Sequence, residues 1–159
     1  MKDSYPVTKK GYELLKKELK QLLSTDRPAV VNAISTARDH GDLKENAEYH
    51  AAKEQQGFIE GRIQELNAKL ANANVIDIEK LSGDKVVFGA TVTFEDIDTD
   101  EVSNYQIVGE DESDIKQNKI SVSSPIARAL IGRSAGETLI IPIPKGKIEI
   151  EIIKVEFIT

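Results

Sequence analysis

The chain of 159 residues contains no cysteine and no tryptophan, and it has only two histidines. Without cysteine there can be no disulfide, no thiolate zinc site and no cysteine nucleophile. Two histidines leave little scope for a metal cage built from imidazoles. Carboxylates and hydroxyls are therefore the side chains left for any chemistry.

Long hydrophobic runs are also missing. No 18-residue apolar segment occurs, and the first ten residues, which are charged and contain a proline, lack the apolar stretch of a signal peptide. With 40% apolar residues the composition is enough for a folded core. We expect a soluble, cytoplasmic protein with no membrane partner.

The net charge of −6 is spread unevenly along the chain. Up to Ile78 there are 12 basic and 12 acidic side chains, whereas from Glu79 onward there are 9 basic and 15 acidic ones. A protein that binds duplex DNA by itself needs a basic face to neutralise phosphates. Independent binding to duplex DNA is therefore not expected.

The stretch from Thr8 to Ala73 has the three- and four-residue apolar spacing of helices. Thr8 is placed to cap the first helix, and Pro28 must kink or restart it because proline lacks an N–H group. The apolar positions are Tyr12, Leu15, Leu19, Leu22, Val30, Ala33, Ile34 and Ala37 on the first arm, and Ala47, Ala51, Phe58, Ile59, Ile63, Leu66 and Leu70 on the second.

Gly41 interrupts this pattern, which predicts an antiparallel helical hairpin with its tip at about His40 to Asn46. Arms of roughly 30 residues would reach about 45 Å at about 1.5 Å per residue. The pattern indicates a long, thin hairpin over residues 1–78.

Residues 79–159 change to the alternating pattern of strands. One short helix is expected between Ser124-Pro125, which is a cap followed by proline, and Gly132. The predicted fold class is α+β: a helical hairpin followed by an antiparallel β domain with one packed helix. The acidic loop from Glu95 to Glu101 lacks the glycine and the final glutamate of a calcium loop, so it is interpreted as turn surface.

Four carboxylates lie close together at the predicted tip: Asp39, Asp42, Glu45 and Glu48. Two interpretations remain open. Asp42 and Glu45 have the spacing of a capping box at the start of the second arm. They could also offer oxygen ligands to a divalent cation, but a protruding pair is an incomplete site that needs a second molecule to complete the coordination.

Two basic residues, Arg38 and Lys53, flank the tip. Helical rise places them roughly 6 and 12 Å along the arms from Asp42 and Glu45. They could meet an RNA backbone, or they could be solvated and pair with Glu48 or Glu54.

The run ARDHGDLKENAEYHAAKEQQ, residues 37–56, closely resembles the tip signature of the GreA/GreB family of transcript cleavage factors. Three later blocks resemble the second domain of that family in the same order: FGATV at 88–92, YQIVG at 105–109 and SSPIARALIG at 123–132. The resemblance covers nearly the whole chain. The balanced charge of the hairpin fits the GreA type better than the more basic GreB type.

The resemblance implies an FKBP-like second domain without isomerase activity, and a transcription elongation factor that rescues backtracked RNA polymerase. The hairpin would enter the secondary channel of the polymerase. Asp42 and Glu45 would then help to hold a magnesium ion shared with the polymerase active centre, so that the polymerase cleaves its own RNA. This chain would bind no cofactor alone and would not be the enzyme.

The same resemblance places Arg38 and Lys53 near the 3′ end of the nascent RNA. It associates Ser124, Pro125 and Ile126 with docking to the rim of the channel, although a helix start and a core residue explain them equally well. The alternative function is a channel-binding regulator that does not stimulate cleavage; such homologues depart from the family at the tip acids, which this chain retains. We expect a monomer.

Overall fold

The structure, a computed structural model, describes residues 4–41 and 45–158. These residues form two units. The helical unit is Tyr12–Ala73, and the β unit combines Ser4–Gly11 with the chain from Asn74 onward. The N-terminal segment therefore belongs to the β unit, although it precedes the helices in sequence.

Three long helices follow the first strand, β1 (Tyr5–Thr8). They are α1 (Lys9–Gln21), α2 (Arg27–Arg38) and α3 (Ala47–Ala71), and a π-helical turn at Leu22–Asp26 joins α1 to α2. Pro28 lies directly after this turn, in the first turn of α2. The backbone stays helical through the turn, and the N–H of Arg27 donates to the carbonyl of Leu22, five residues earlier. The irregularity that Pro28 predicts in the first arm is therefore a π-helical turn, and the helix does not stop and restart there.

The two arms run antiparallel, as predicted. Going along the chain, Glu18 meets Arg62, Arg27 meets Glu60 and Ala37 meets Asn46. At about 1.5 Å per residue, the 25 residues of α3 extend for about 38 Å. The unit is thus a long helical hairpin.

A narrow apolar seam holds the arms together. Its buried side chains recur every three or four residues and are Leu15, Leu22, Val30, Ile34 and Ala37 on the first arm, and Ile59, Ile63 and Leu66 on the second. Phe58, which belongs to the predicted apolar pattern, is 65% exposed, and Ala33, Ala47 and Ala51 are exposed too, so the prediction is wrong at these four positions. Ile59 takes the buried position, and its neighbour is turned about 100° around the helix.

The β unit contains a curled five-stranded sheet in the order β5-β4-β3-β7-β6. Its strands are β3 (Thr91–Asp96), β4 (Val102–Val108), β5 (Lys119–Ser121), β6 (Thr138–Ile143) and β7 (Gly146–Glu156), while β1 pairs separately with β2 (Ala73–Ile76). Three of the four strand pairs are antiparallel, but β4 pairs with β5 in parallel, with Ile107 opposite Ile120. The expectation of a wholly antiparallel sheet is corrected at this edge.

The core of the β unit lies between the sheet and the one helix that packs on it, α4 (Pro125–Leu130). Its fully buried side chains include Ile107, Leu130, Ile141, Ile150 and Ile152. The alternating pattern of β7 buries Ile150 and Ile152 and leaves the intervening Glu151 exposed. The α+β fold class is confirmed.

Thr8 caps α1, as predicted: its Oγ1 accepts a hydrogen bond of 3.0 Å from the N–H of Gly11. The carboxylate of Glu112 in turn accepts from the Thr8 hydroxyl, from the Thr8 N–H at 3.1 Å and from the Gly109 N–H at 3.0 Å. A Cβ at Gly109 would lie only 2.9 Å from the carbonyl oxygen of Pro6, so only glycine fits there. This network fixes β1 and the start of α1 within the β unit.

No helix in the described part of the chain is long and apolar enough to cross a membrane.

Candidate functional site

The connection between α2 and α3 begins with a tight turn. The N–H groups of Asp39, His40 and Gly41 each donate to a carbonyl three residues earlier, at 3.1–3.2 Å. Gly41 has φ = +104°, a conformation that side chains disfavour, which explains a glycine where the chain leaves the helix. The first arm therefore ends where the sequence predicted.

The second arm begins with a different cap from the one predicted. α3 starts at Ala47, and Oδ1 of Asn46 accepts a hydrogen bond of 3.0 Å from the N–H of Tyr49. The capping-box interpretation of Asp42 and Glu45 is therefore wrong, because Glu45 precedes the cap instead of occupying the third helical position. Asn46 also donates through Nδ2 to the carbonyl of Ala37, at 2.5 Å, and so ties the two arms together.

Of the two predicted metal-binding acids, Asp42 lies outside the described residues. Glu45 is exposed, directly before the cap, and no hydrogen bond or ion pair joins its side chain to another residue of the described ranges. The structure leaves the metal-binding role of both residues as a prediction.

Glu48, a neighbouring acid of the cluster, lies within hydrogen-bonding distance of His40. His40 Nδ1 lies 3.1 Å from Glu48 Oε2, and both side chains are more than half exposed. The pair links the turn after α2 to the first turn of α3, where a carboxylate is favoured by the helix dipole. Within residues 4–41 and 45–158, no group of three or more histidines and acids is arranged to hold a metal ion.

The two basic residues make contacts other than those expected. The guanidinium of Arg38 lies over the ring of Tyr49, 5.9 Å from its centre, and Lys53 Nζ donates to Oε1 of Gln56 at 3.2 Å. Both cations are exposed. Within the described ranges, no carboxylate forms an ion pair with either cation.

The three residues associated with docking form the start of α4. Ser124 caps the helix through Oγ, which accepts from the N–H of Ala127 at 3.2 Å, and Pro125 occupies the first turn. Ile126 is partly buried against the core, whereas Pro125 is exposed. The structural roles predicted for Ser124 and Ile126 are present, and any docking role stays a prediction.

Sequence reasoning missed Asn46 as a site residue. A signal was available, because asparagine is among the best N-caps, and here it directly precedes Ala47, a strong helix former, and an acid in the first turn. Asp42 is also a good N-cap residue about one helical turn earlier, and Glu45 has the spacing that completes a capping box with it.

Comparison with known proteins finds relatives over nearly the whole chain. Residues 5–75 match the family model described as "Transcription elongation factor, N-terminal", and residues 81–157 match "Transcription elongation factor, GreA/GreB, C-term". A curated protein of Hyphomonas neptunium, "Transcription elongation factor GreA", is 59% identical over 96% of this chain and 97% of its own length. The protein of that name from Xylella fastidiosa (strain 9a5c) is 57% identical over 97% of this chain and 98% of its own length.

Among solved structures, the crystal structure of GreA factor homolog 1 (Gfh1) of Thermus thermophilus is 28% identical. The match covers 97% of this chain and 99% of that chain, with a TM-score of 0.45.

Proposed function

Because the chain belongs to the GreA/GreB family of transcription elongation factors, we propose that it stimulates RNA polymerase to cleave backtracked nascent RNA. The hairpin would enter the secondary channel of the polymerase, in the cytoplasm, and bring its tip to the active centre. The observation that carries this proposal is the exposed carboxylate of Glu45, which has no described partner at the end of a long hairpin.

An exposed tip is poorly suited to catalysis by this chain alone. An enzyme site surrounds its substrate on several sides and excludes water, whereas Glu45 lies on an open surface. Among the described residues no further acid or histidine completes a metal site with it. The chain therefore acts as a donor of ligands, and the polymerase is the nuclease.

The donor chemistry of the tip fits magnesium, which prefers carboxylate oxygens and is commonly bound by only one or two of them. Asp42 and Glu45 would hold the ion together with groups of the polymerase active centre. The ion would supply charge stabilisation for the attacking and leaving oxygens of hydrolysis. Glu45 would present its carboxylate from the position directly before the cap of α3.

Arg38 and Lys53 would neutralise phosphates near the 3′ end of the extruded RNA. Their exposed charges have no described carboxylate partner, and the planar guanidinium of Arg38, which lies over the ring of Tyr49, suits phosphate oxygens. Crosslinking of the RNA 3′ end to the hairpin checks this role. Arg38→Gln and Lys53→Gln should lower the yield, while Lys17→Gln, at an exposed position in α1, should not.

The test of the proposed function is RNA cleavage in a halted, backtracked elongation complex. We expect the wild-type chain to accelerate cleavage, and Asp42→Asn and Glu45→Gln to lose most of the acceleration while still competing with wild type for polymerase. Glu54→Gln, which removes an exposed charge further along α3, is the matched control and should behave as wild type.

Two results would contradict the proposal. Absence of acceleration by the wild-type chain, with polymerase binding intact, would favour the alternative of a channel regulator that does not stimulate cleavage. Equal acceleration by wild type and both acid variants would show that the carboxylates do not carry the effect.

A further inference from the structure

Asn46 makes two hydrogen bonds with opposite ends of its side-chain amide. Oδ1 accepts from the N–H of Tyr49, within the first turn of α3. Nδ2 donates to the carbonyl of Ala37, in the last turn of α2, at 2.5 Å. The side chain therefore joins the end of one arm to the start of the other, and it is partly buried between them.

The bond to Tyr49 satisfies an N–H group that has no partner within α3 itself. The carbonyl of Ala37 already accepts from the N–H of His40 at 3.1 Å, and Asn46 adds a second hydrogen bond to the same oxygen, which has two lone pairs. An asparagine can serve both, since its amide carries a donor and an acceptor on two separate atoms. An ionised aspartate has only acceptors, and serine offers a single hydroxyl oxygen that is one bond closer to the backbone, so each of them caps without spanning to the other arm. Asparagine at this position therefore both caps α3 and links it to α2, whereas capping alone requires only an acceptor.

We propose that Asn46 is a positioning residue for the tip carboxylate, holding the backbone of Glu45 in place by tying α2 to α3. The inference rests on the proposed function. Glu45 directly precedes Asn46, and no hydrogen bond or ion pair joins its side chain to the described residues, so the restraint that Asn46 places on it acts through the backbone. Metal ligands must be held within a fraction of an ångström of their working geometry.

The decisive variant is Asn46→Ser, which is neutral, keeps a good cap and replaces the amide by a shorter hydroxyl that cannot span to Ala37 while it caps Tyr49. The matched control is Asn72→Ser at the other end of α3, where Nδ2 of Asn72 donates to the carbonyl of Ala68 at 2.9 Å. Both substitutions remove one amide hydrogen bond to an alanine carbonyl of the hairpin. They differ in distance from the tip.

In the cleavage assay, we expect Asn46→Ser to lower the maximal rate about tenfold at saturating factor, as small misplacements of reacting groups do. The magnesium concentration for half-maximal cleavage should rise by about tenfold, because support of a metal ligand is lost. Affinity for polymerase, measured by competition, should stay the same. Asn72→Ser should match wild type in all three quantities.

Asn46→Ala separates the cross-link from the cap, because it removes both hydrogen bonds. If the cross-link positions Glu45, the alanine and serine variants lose cleavage to the same extent and only alanine lowers the melting temperature further. Full activity of Asn46→Ser with loss only in Asn46→Ala would overturn the inference in favour of simple capping. So would an equal loss in Asn72→Ser.

A measurement without polymerase keeps the inference testable if the proposed function fails. We expect the backbone order parameter of Glu45, from nitrogen relaxation, to fall from about 0.85 to below about 0.6 in Asn46→Ser. The value for Asn67, in the body of α3, should not change. Unchanged order at Glu45 would overturn the positioning role, whereas failure of wild type to stimulate cleavage would overturn only the proposed function.

Discussion

The guanidinium of Arg27 forms a two-point ion pair with the carboxylate of Glu60 on the opposite arm of the hairpin. Nε lies 2.8 Å from Oε2, and Nη2 lies 2.7 Å from Oε1. The hydrogen bonds from Arg27 hold the pKa of Glu60 below its ordinary value, and the same bonds raise the pKa of Arg27. The pair spans the arms where α2 begins, just after the π-helical turn.

This pair should make part of the hairpin stability depend on pH. A folded-state pKa that is lower than the unfolded one stabilises the fold fully above the unfolded value, about 4.3 for glutamate. That contribution is lost as the pH falls through the lowered folded value. We expect Glu60→Gln to be less stable than wild type at neutral pH, with the difference shrinking below the ordinary glutamate pKa.

Urea unfolding of both proteins between neutral pH and about pH 3 measures this difference, since the titration window begins at the ordinary glutamate pKa and extends below it. Glu54→Gln is the control, because its exposed side chain makes no ion pair with a described residue. A difference between wild type and Glu60→Gln that stayed constant down to acid pH would contradict the pKa assignment.

Phe58 and Ile59 are adjacent apolar residues with opposite environments. Phe58 is 65% exposed and Ile59 is 6% exposed. Ile59→Ala should cost about 2–5 kcal/mol, because it opens a cavity in the seam. Phe58→Ala should change the free energy of unfolding by less than about 0.5 kcal/mol, since alanine is also the better helix former. Similar losses in the two variants, measured by urea unfolding, would show that Phe58 belongs to the seam.

The error at Phe58 shows how far periodicity alone can resolve a two-helix seam. A spacing of three or four residues selects Ile59, Ile63 and Leu66, and the structure buries all three. Phe58 fits the same spacing with Ala51, so a pattern of apolar letters admits both. Burial is decided by the partner arm, whose position the sequence does not specify.

The position predicted for the cap of α3 was wrong for a related reason. Asp42 and Asn46 are about one helical turn apart, and both residue types are good caps. Starting the helix at one or the other changes the free energy only slightly, because a single added turn is marginally stable. The cross-link from Asn46 to Ala37 is a tertiary contact, and it adds to the stability of the later start. No rule on local sequence contains that contact.

The parallel pairing of β4 with β5 was not visible in the sequence either. Residues 109–118, which join the two strands, contain two short 3₁₀ turns, Glu110–Glu112 and Ile115–Gln117. Connections of this length usually join antiparallel strands. Here Glu112 is committed to Thr8 and Gly109, so the connection is held against the N-terminal segment and the chain re-enters the sheet edge in the same direction.

The start of α4 offers a way to separate a structural role from docking to polymerase. Ser124 caps the helix, and its replacement by alanine should cost about 0.5–2 kcal/mol, which Ser124→Asp should largely restore. Pro125 is exposed in the first turn, where an acidic residue is also favourable, so Pro125→Glu should fold normally.

If α4 docks at the rim of the channel, Pro125→Glu should weaken competition for polymerase by about tenfold, which corresponds to about 1.4 kcal/mol. The same substitution at Pro144, exposed between β6 and β7, is the matched control and should leave affinity unchanged. Compared with Ser124→Ala, Ser124→Asp should restore the free energy of unfolding but not the affinity for polymerase, if the Ser124 hydroxyl itself contacts polymerase. Wild-type affinity in both Ser124→Asp and Pro125→Glu would mean that this helix start serves only the fold, because each variant keeps the cap while altering the exposed surface.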